Sequence, residues 1–139
     1  MVKERESLSM ATKPVDNLNN PIVLFVDDHP DTLELYELMF SREPVRVLTA
    51  PSGLHALQHL AARADEIVEV VSDYEMPGMN GIDLLNIIEA KYPHIERVLL
   101  TGIVDSDIVV EAKRHKVLTK NLPREIIRRA ILRRAKGER

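Results

Sequence analysis

Five polar side chains follow short apolar segments of the sequence, at positions where they could converge and act on a charged group. They are Asp27, Asp28, Asp73, Thr101 and Lys120. Carboxylates a few ångströms apart repel one another and raise one another's pKa unless a cation screens them. Because the set contains neither His nor Cys, it favours a hard, oxygen-preferring ion. Mg²⁺ fits best, since it accepts a few carboxylates and keeps several waters.

Phosphoryl transfer is the chemistry that these side chains predict. A Mg²⁺ ion among the carboxylates would neutralise a phosphoryl group moving onto a carboxylate oxygen, a reaction that depends mainly on positioning and charge stabilisation. Asp73 stands alone after its apolar segment, beside a loop rich in Gly and Pro, and is therefore the natural nucleophile. The amine of Lys120 and the hydroxyl of Thr101 would hold the remaining phosphoryl oxygens.

The segments that must position these residues alternate between apolar runs and amphipathic stretches. The apolar runs predict strands at 22–26, 45–50, 67–72, 97–100 and 116–119. The amphipathic stretches predict helices at 31–42, 52–63, 82–91, 105–114 and from 123 onward. This alternation predicts an α/β fold with a parallel sheet covered by helices on both faces. Ligands of such a sheet bind beyond the carboxyl ends of the strands, where the five polar residues lie.

Composition limits the other possibilities. The chain has 139 residues, of which 45% are hydrophobic and 29% charged, as is typical of one compact domain. The absence of cysteine excludes a disulfide framework, a thiolate zinc site and a cysteine nucleophile. The sequence has neither a secretory signal nor an apolar run near the ~20 residues that span a bilayer. We therefore expect a cytoplasmic protein with no membrane partner.

Charge is distributed unevenly along the chain. Residues 111–139 carry a net charge of +8, whereas residues 1–110 carry −11. The basic end favours either a surface for a nucleic acid or an acidic partner, or simply the solvated face of a terminal helix. The polar, aperiodic start of the chain predicts a flexible N-terminal arm at 1–20, a folded domain at 21–136 and a C-terminal end at 137–139.

Several motifs resemble those of the receiver domain of two-component response regulators. They are Phe25-Val-Asp-Asp28, Ala50-x-x-Gly53-x-x-Ala56-Leu57, Asp73-x-x-Met-Pro-Gly-Met-Asn-Gly81-Ile-Asp-Leu-Leu85, Val98-Leu-Leu-Thr-Gly102 and Lys120. The resemblance covers about residues 21–136, which is most of the chain. It implies a flavodoxin-like, doubly wound (βα)5 fold whose five-stranded parallel sheet has the order 2-1-3-4-5.

The resemblance also implies a role for each acid of the pocket. Asp73 would accept a phosphoryl group from the phosphohistidine of a sensor histidine kinase or a phosphotransfer protein, with Mg²⁺ as the cofactor. Asp28 would bind the ion directly and Asp27 through water. Asp73 itself and the backbone carbonyl of Glu75 would supply further ligands.

Signalling roles follow from the same resemblance. Thr101 would shift toward the phosphoryl group, and Lys120 would pair with it. Such a domain is a phosphoacceptor and not an enzyme in the usual sense, although it can catalyse its own phosphorylation and dephosphorylation. Its state would pass to an output domain or effector through the face formed by the fourth helix, the fifth strand and the fifth helix. We expect no direct nucleic acid binding by this domain.

The segment between Thr101 and Lys120 departs from the family's pattern. Val117 stands where the family usually has an aromatic residue that rotates inward when the threonine moves. Asn121 follows the lysine where the family commonly has Pro. The segment is also short and lacks the usual Gly before the fifth strand. These departures predict a short or irregular fourth helix and an atypical output face, and they leave the acidic pocket intact.

Two other functions are compatible with the residues. One is a phosphorylation-independent protein-interaction module with the receiver fold, which Val117 and the short fourth helix favour. The other is a phosphatase resembling the haloacid dehalogenases, because Asp73 and Glu75 have the spacing of its two acids, although the chain has no room for a cap domain. The side chain of Glu75 could overhang the pocket or be an exposed loop acid.

Overall fold

The computed structural model describes residues 18–138, so the arm expected at 1–20 lies outside the described residues except for its last three. The strands are β1 (Ile22–Val26), β2 (Arg46–Ala50), β3 (Ile67–Ser72), β4 (Glu96–Thr101) and β5 (Lys116–Thr119). The helices are α1 (Pro30–Met39), α2 (Gly53–Arg63), α3 (Gly81–Lys91), α4 (Ser106–Glu111) and α5 (Arg124–Ala135). Strands and helices alternate as the hydrophobic pattern predicts.

The strands form one parallel sheet in the order β2-β1-β3-β4-β5, which confirms the flavodoxin-like topology. All residues of β1 are buried, as its continuous apolar run predicts for a strand covered on both faces. The strand order changes direction between β1 and β3, so a crevice opens beyond their carboxyl ends. Among residues 18–138, no helix is long and apolar enough to cross a membrane.

Two hydrophobic layers cover the sheet. One contains residues of α2, α3 and α4, among them Leu60, Leu85 and Ile108. The other contains residues of α1 and α5, and here the ring of Phe25 stacks on that of Tyr36 with centroids 4.7 Å apart. Because both faces are packed, the strand ends are held on a rigid scaffold from which the polar side chains project.

The connection between β4 and β5 is shorter than its neighbours. α4 has six residues, begins after Asp105 and covers less than the stretch predicted at 105–114, in agreement with the expected short fourth helix. The Asp105 side chain accepts a hydrogen bond from the Ile108 N–H and so caps the helix. With six residues, the helix makes fewer than two turns, and β5 begins soon afterwards, at Lys116. Val117 is half-buried and packs against the layer that contains α4.

Candidate functional site

The polar residues at the strand ends are fixed by backbone bonds that continue the sheet. The Asp27 N–H donates to the last carbonyl of β2 at 3.1 Å, and the Asp73 N–H donates to Val26 O at 2.9 Å. The Lys120 N–H donates to Thr101 O at 2.9 Å. Each of these side chains therefore leaves the sheet from a backbone position that the ladder holds in place.

The acids predicted to converge do so. One ligand atom from each of Asp27, Asp28, His29 and Asp73 lies within 4.8 Å of the others. Asp27 is fully buried and Asp73 is 7% exposed. Within residues 18–138, Asp28 Oδ1 is buried without a hydrogen-bond partner. A concentrated, partly unsatisfied set of carboxylate oxygens suits a hard divalent cation.

Lys120, the residue directly after β5, reaches this cluster. Its Nζ lies 2.9 Å from Asp27 Oδ2 and 3.6 Å from Asp73 Oδ1, so the ammonium pairs more closely with Asp27 than with the predicted nucleophile. Burial raises the pKa of Asp73, and the charge of Asp27 adds to this effect. Lys120 acts in the opposite direction, as do the backbone N–H of Tyr74 and the hydroxyl of Thr101.

Thr101, at the end of β4, is almost completely buried beside the acids. Its hydroxyl accepts a bond of 3.4 Å from the Ile103 N–H, at the start of the loop that leads to α4. The hydroxyl therefore links the acidic cluster to the backbone of that loop.

The expected set contained no histidine, but the structure places His29 in the cluster, as its most exposed member. The backbone N–H and the ring Nδ1 each lie 3.0 Å from Asp27 Oδ1, and Nδ1 lies 3.2 Å from Asp28 Oδ1. The bond to Asp27 and the charges of both acids raise the pKa of His29. The ring thus lies at the rim of the pocket, beside both acids.

Two residues that position Asp73 were not anticipated from the sequence. Gly81, the first residue of α3, lies so close to the site that an added Cβ would be 2.0 Å from Asp73 O. The buried hydroxyl of Ser72 donates to the same carbonyl at 2.9 Å. The sequence signal for Gly81 was its place at the end of a turn, which indicates a bend but not this close approach. Gly78, in the loop before α3, has a positive φ of 82°, whereas Gly81 does not have a positive φ.

The loop between β3 and α3 forms one wall of an open cavity of about 410 Å³. The cavity is lined by Asp28, Tyr74, Glu75, Met76, Pro77 and Asn80. The side chain of Glu75 is exposed and also borders the cavity, so the two interpretations of this residue are compatible. Of the clustered acids, Asp28 is the one that borders this cavity.

Comparisons with known proteins agree with the geometry. The family model of the response regulator receiver domain matches residues 23–132. The chain is 28% identical over 100 residues to sporulation initiation phosphotransferase F of Bacillus subtilis (strain 168), covering 72% of this chain and 79% of that protein. The signal receiver domain of an HD domain-containing protein from Pseudomonas fluorescens Pf-5 superimposes with a TM-score of 0.79 and 29% identity, covering 85% of this chain and 96% of the other.

Other relatives are much longer than the matched region. The transcriptional regulatory protein GlrR of Escherichia coli (strain K12) is 30% identical over 112 residues, which are 78% of this chain. The chain spans only 25% of GlrR. The likeness therefore concerns one domain of that regulator.

Proposed function

This chain belongs to the response regulator receiver domain family, and on that premise we propose that Asp73 accepts a phosphoryl group from a phosphohistidine. The donor would be a sensor histidine kinase or a phosphotransfer protein. A carboxylate oxygen of Asp73 attacks the phosphorus, and the bond between phosphorus and the imidazole nitrogen breaks. The electron pair leaves with the imidazole, which takes up a proton, and Asp73 becomes an acyl phosphate.

The side chains around Asp73 support this reaction through charge and position. Lys120 Nζ, 3.6 Å from Asp73 Oδ1, is close enough to pair with a phosphoryl oxygen that becomes attached there. The Thr101 hydroxyl supplies a further donor and would shift toward the phosphoryl group. That movement would pull on the loop at Ile103, to which the hydroxyl is bonded.

The acidic cluster fits Mg²⁺. Asp28 would hold the ion directly and Asp27 through water, with the Asp73 carboxylate and the Glu75 backbone carbonyl completing the protein ligands. The buried Asp28 Oδ1 supports this assignment, because among residues 18–138 it has no hydrogen-bond partner and only the exposed His29 ring, 3.2 Å away, faces it. When bound, the ion neutralises charge on the phosphoryl oxygens during transfer.

One observation carries the proposal: the carboxylates of Asp27, Asp28 and Asp73, which follow two different strands, meet the ammonium of Lys120 at one edge of the sheet. We expect the purified protein to gain the mass of one phosphoryl group when incubated with Mg²⁺ and acetyl phosphate. Beryllofluoride with Mg²⁺ should shift the NMR signals around Asp73. Chelation of the metal should abolish both responses.

Two variants make the test specific. Asp73→Asn should fold and gain no phosphoryl group, whereas Asp65→Asn, at an exposed turn outside the cluster, should behave like the wild type. Uptake that persists in Asp73→Asn would contradict the assignment of the nucleophile. Turnover of a phosphomonoester that depends on Asp73 would instead support the phosphatase.

We further infer that the state of Asp73 is read on the α4-β5-α5 face by an output domain or effector. This face carries exposed apolar side chains on α4 and the loop before it, namely Ile103, Val104, Val109 and Val110. The half-buried Val117 has no ring to rotate, so the signal would travel mainly through the Thr101 loop. The same observation favours the alternative, a phosphorylation-independent interaction module, which predicts equal partner binding with and without beryllofluoride.

A further inference from the structure

β3 carries a second buried acid, within the strand rather than at its end. Glu69 is 0% exposed, and its neighbours in register are Val23 on β1 and Glu96 on β4. Within residues 18–138, neither carboxyl oxygen of Glu69 has a hydrogen-bond partner. A carboxylate in such surroundings is so unfavourable that the group takes up a proton instead.

The charged groups that act on Glu69 come from the two elements packed beside and above it. Glu96 on β4 is a like charge and raises the pKa of Glu69, whereas Arg134 on α5 lowers it. The neighbour from β1, Val23, is apolar. Burial is the largest cause, and the net result is a pKa of about 9 for Glu69.

Arg134 connects this pair of acids to α5. Its Nη2 lies 3.2 Å from Glu96 Oε1. Its Nε is buried and donates to no group within the described part of the chain. A cavity of about 90 Å³ lies beside the guanidinium, lined by Lys116, Ala130, Arg133, Arg134 and Glu138. Arg134 thus has one carboxylate partner, one unused N–H and room to turn.

We propose that Glu69, Glu96 and Arg134 form a proton-linked latch that holds the last turn of α5 against the sheet. While Glu69 keeps its proton, Arg134 pairs with Glu96. When Glu69 loses the proton, a second carboxylate appears on the strand beneath α5, within the electrostatic reach of Arg134, and the guanidinium turns toward it. The last turn of α5 moves with its arginine, so the proton on Glu69 sets the position of the adjoining surface. The latch does not depend on phosphorylation of Asp73.

The latch gives stability a pH dependence of defined sign. The pKa of Glu69 is about 9 in the folded chain against an ordinary value of 4.5, so between these values the folded state binds a proton that the unfolded state has released. The contribution of Glu69 to stability is therefore fully present below its unfolded pKa and is lost as pH rises through this window. Glu69→Gln should remove this decline.

The direct test is an NMR titration of the wild-type protein with ¹³C-labelled glutamate. One carboxyl signal should titrate near pH 9, far above the remaining glutamates, and should be absent from Glu69→Gln. The ¹H–¹⁵N signal of Arg134 Nε should shift with the same midpoint. At neutral pH, the infrared band of a neutral carboxylic acid should be present in the wild type and lost in Glu69→Gln.

Two further variants should move the midpoint in opposite directions. Glu96→Gln removes a like charge and leaves Arg134 to Glu69, which should lower the midpoint. Arg134→Met removes the cation that favours the ionised form, which should raise it. Glu43→Gln is the matched control, because Glu43 contacts another arginine of α5, Arg128, and should leave the midpoint unchanged.

Titration of every glutamate near its ordinary pKa would overturn the proposal. An Arg134 signal that does not follow Glu69 would overturn the latch, as would shifts of the same sign in Glu96→Gln and Arg134→Met. The titration of the wild-type protein needs no variant. It can therefore refute the proposal even if one of the variants does not fold.

Discussion

The two buried acids of the β3 segment differ in what surrounds them, although only four positions separate them along the chain. Asp73 lies one residue past the end of the strand, with an ammonium at 3.6 Å and an open cavity beside the neighbouring Asp28. Glu69 lies within the strand, opposite another glutamate, and no described group donates a hydrogen bond to it. The first arrangement suits a reacting anion and the second a bound proton.

The balance of forces on the two carboxyl groups explains the difference. Burial is the main cause that raises the pKa of each. At Asp73 this is opposed by Lys120 and by hydrogen bonds from the backbone and from a hydroxyl. At Glu69 only Arg134 opposes it, while Glu96 reinforces it. A strand end can collect donors from several loops, whereas the middle of a strand sees only its neighbours in the sheet and one helix.

The largest expected effect comes from a substitution that adds an atom next to the backbone of Asp73. Gly81→Ala would place a methyl group 2.0 Å from Asp73 O and 2.9 Å from Leu99 Cδ1. Since the nearer contact is with backbone, α3 must move away from the site. We expect a loss of about 3 kcal/mol in the free energy of unfolding, measured with urea, and slower phosphorylation of Asp73.

Gly102→Ala is the control for this prediction. Gly102 follows Thr101 at the other side of the site, and an added Cβ there would have no atom within 4 Å. We expect its stability to stay within about 0.5 kcal/mol of the wild type. Equal stabilities for Gly81→Ala and Gly102→Ala would show that the close approach does not hold Asp73 in place.

The contrast also shows how far the sequence alone determines this site. The meeting of Asp27, Asp73 and Lys120 was predictable, because apolar periodicity locates the strand ends and parallel strands bring those ends together. The strand order itself came from the motif resemblance, since periodicity cannot order strands within a sheet. The shortness of α4 was also predictable from the resemblance, because the segment between Thr101 and Lys120 is shorter than in the family's pattern, whereas the residue pattern alone predicted a helix over 105–114.

Contacts that depend on side-chain packing were not predictable. Pattern analysis treats Glu69 as one polar interruption of an apolar strand, and only the sheet register shows that it meets Glu96 beneath α5. The approach of Gly81 to Asp73 depends on the path of α3 over the sheet. The preference of Lys120 for Asp27 over Asp73 is a difference of 0.7 Å, from 2.9 to 3.6 Å, which no sequence pattern encodes.

Removal of the cation near each buried acid, Lys120 near Asp73 and Arg134 near Glu69, should show how the surroundings of the two acids differ. Lys120→Met leaves Asp27, whose side chain is 1% exposed, without its ammonium. We expect a loss of about 2 kcal/mol in the free energy of unfolding at pH 7 in the presence of a chelator. Added Mg²⁺ should bind and restore part of this loss, while the response to beryllofluoride should weaken.

Arg134→Met is the corresponding variant near Glu69, because it removes the cation that acts on that acid. With a pKa of about 9, Glu69 is neutral at pH 7, so removal of the arginine changes the energy of Glu69 little at that pH. Glu96, the other partner of the arginine, keeps partial contact with solvent. We expect a loss of about 1.5 kcal/mol at pH 7, smaller than that of Lys120→Met and unaffected by Mg²⁺. A larger loss for Arg134→Met than for Lys120→Met would mean that Glu69 is ionised in the folded protein.

The smallest effect should come from the hydroxyl beneath Asp73. Ser72 Oγ donates to Asp73 O at 2.9 Å in a fully buried position, and Ser72→Ala should lower the free energy of unfolding by about 1 kcal/mol. Ser41→Ala is a matched control, because Ser41 Oγ donates to Leu38 O at the same 2.9 Å on the exposed surface, where water replaces the lost donor. We expect urea unfolding to show almost no change for Ser41→Ala. If the two substitutions cost the same, burial does not strengthen the hold of Ser72 on Asp73, and Gly81 alone positions that carbonyl.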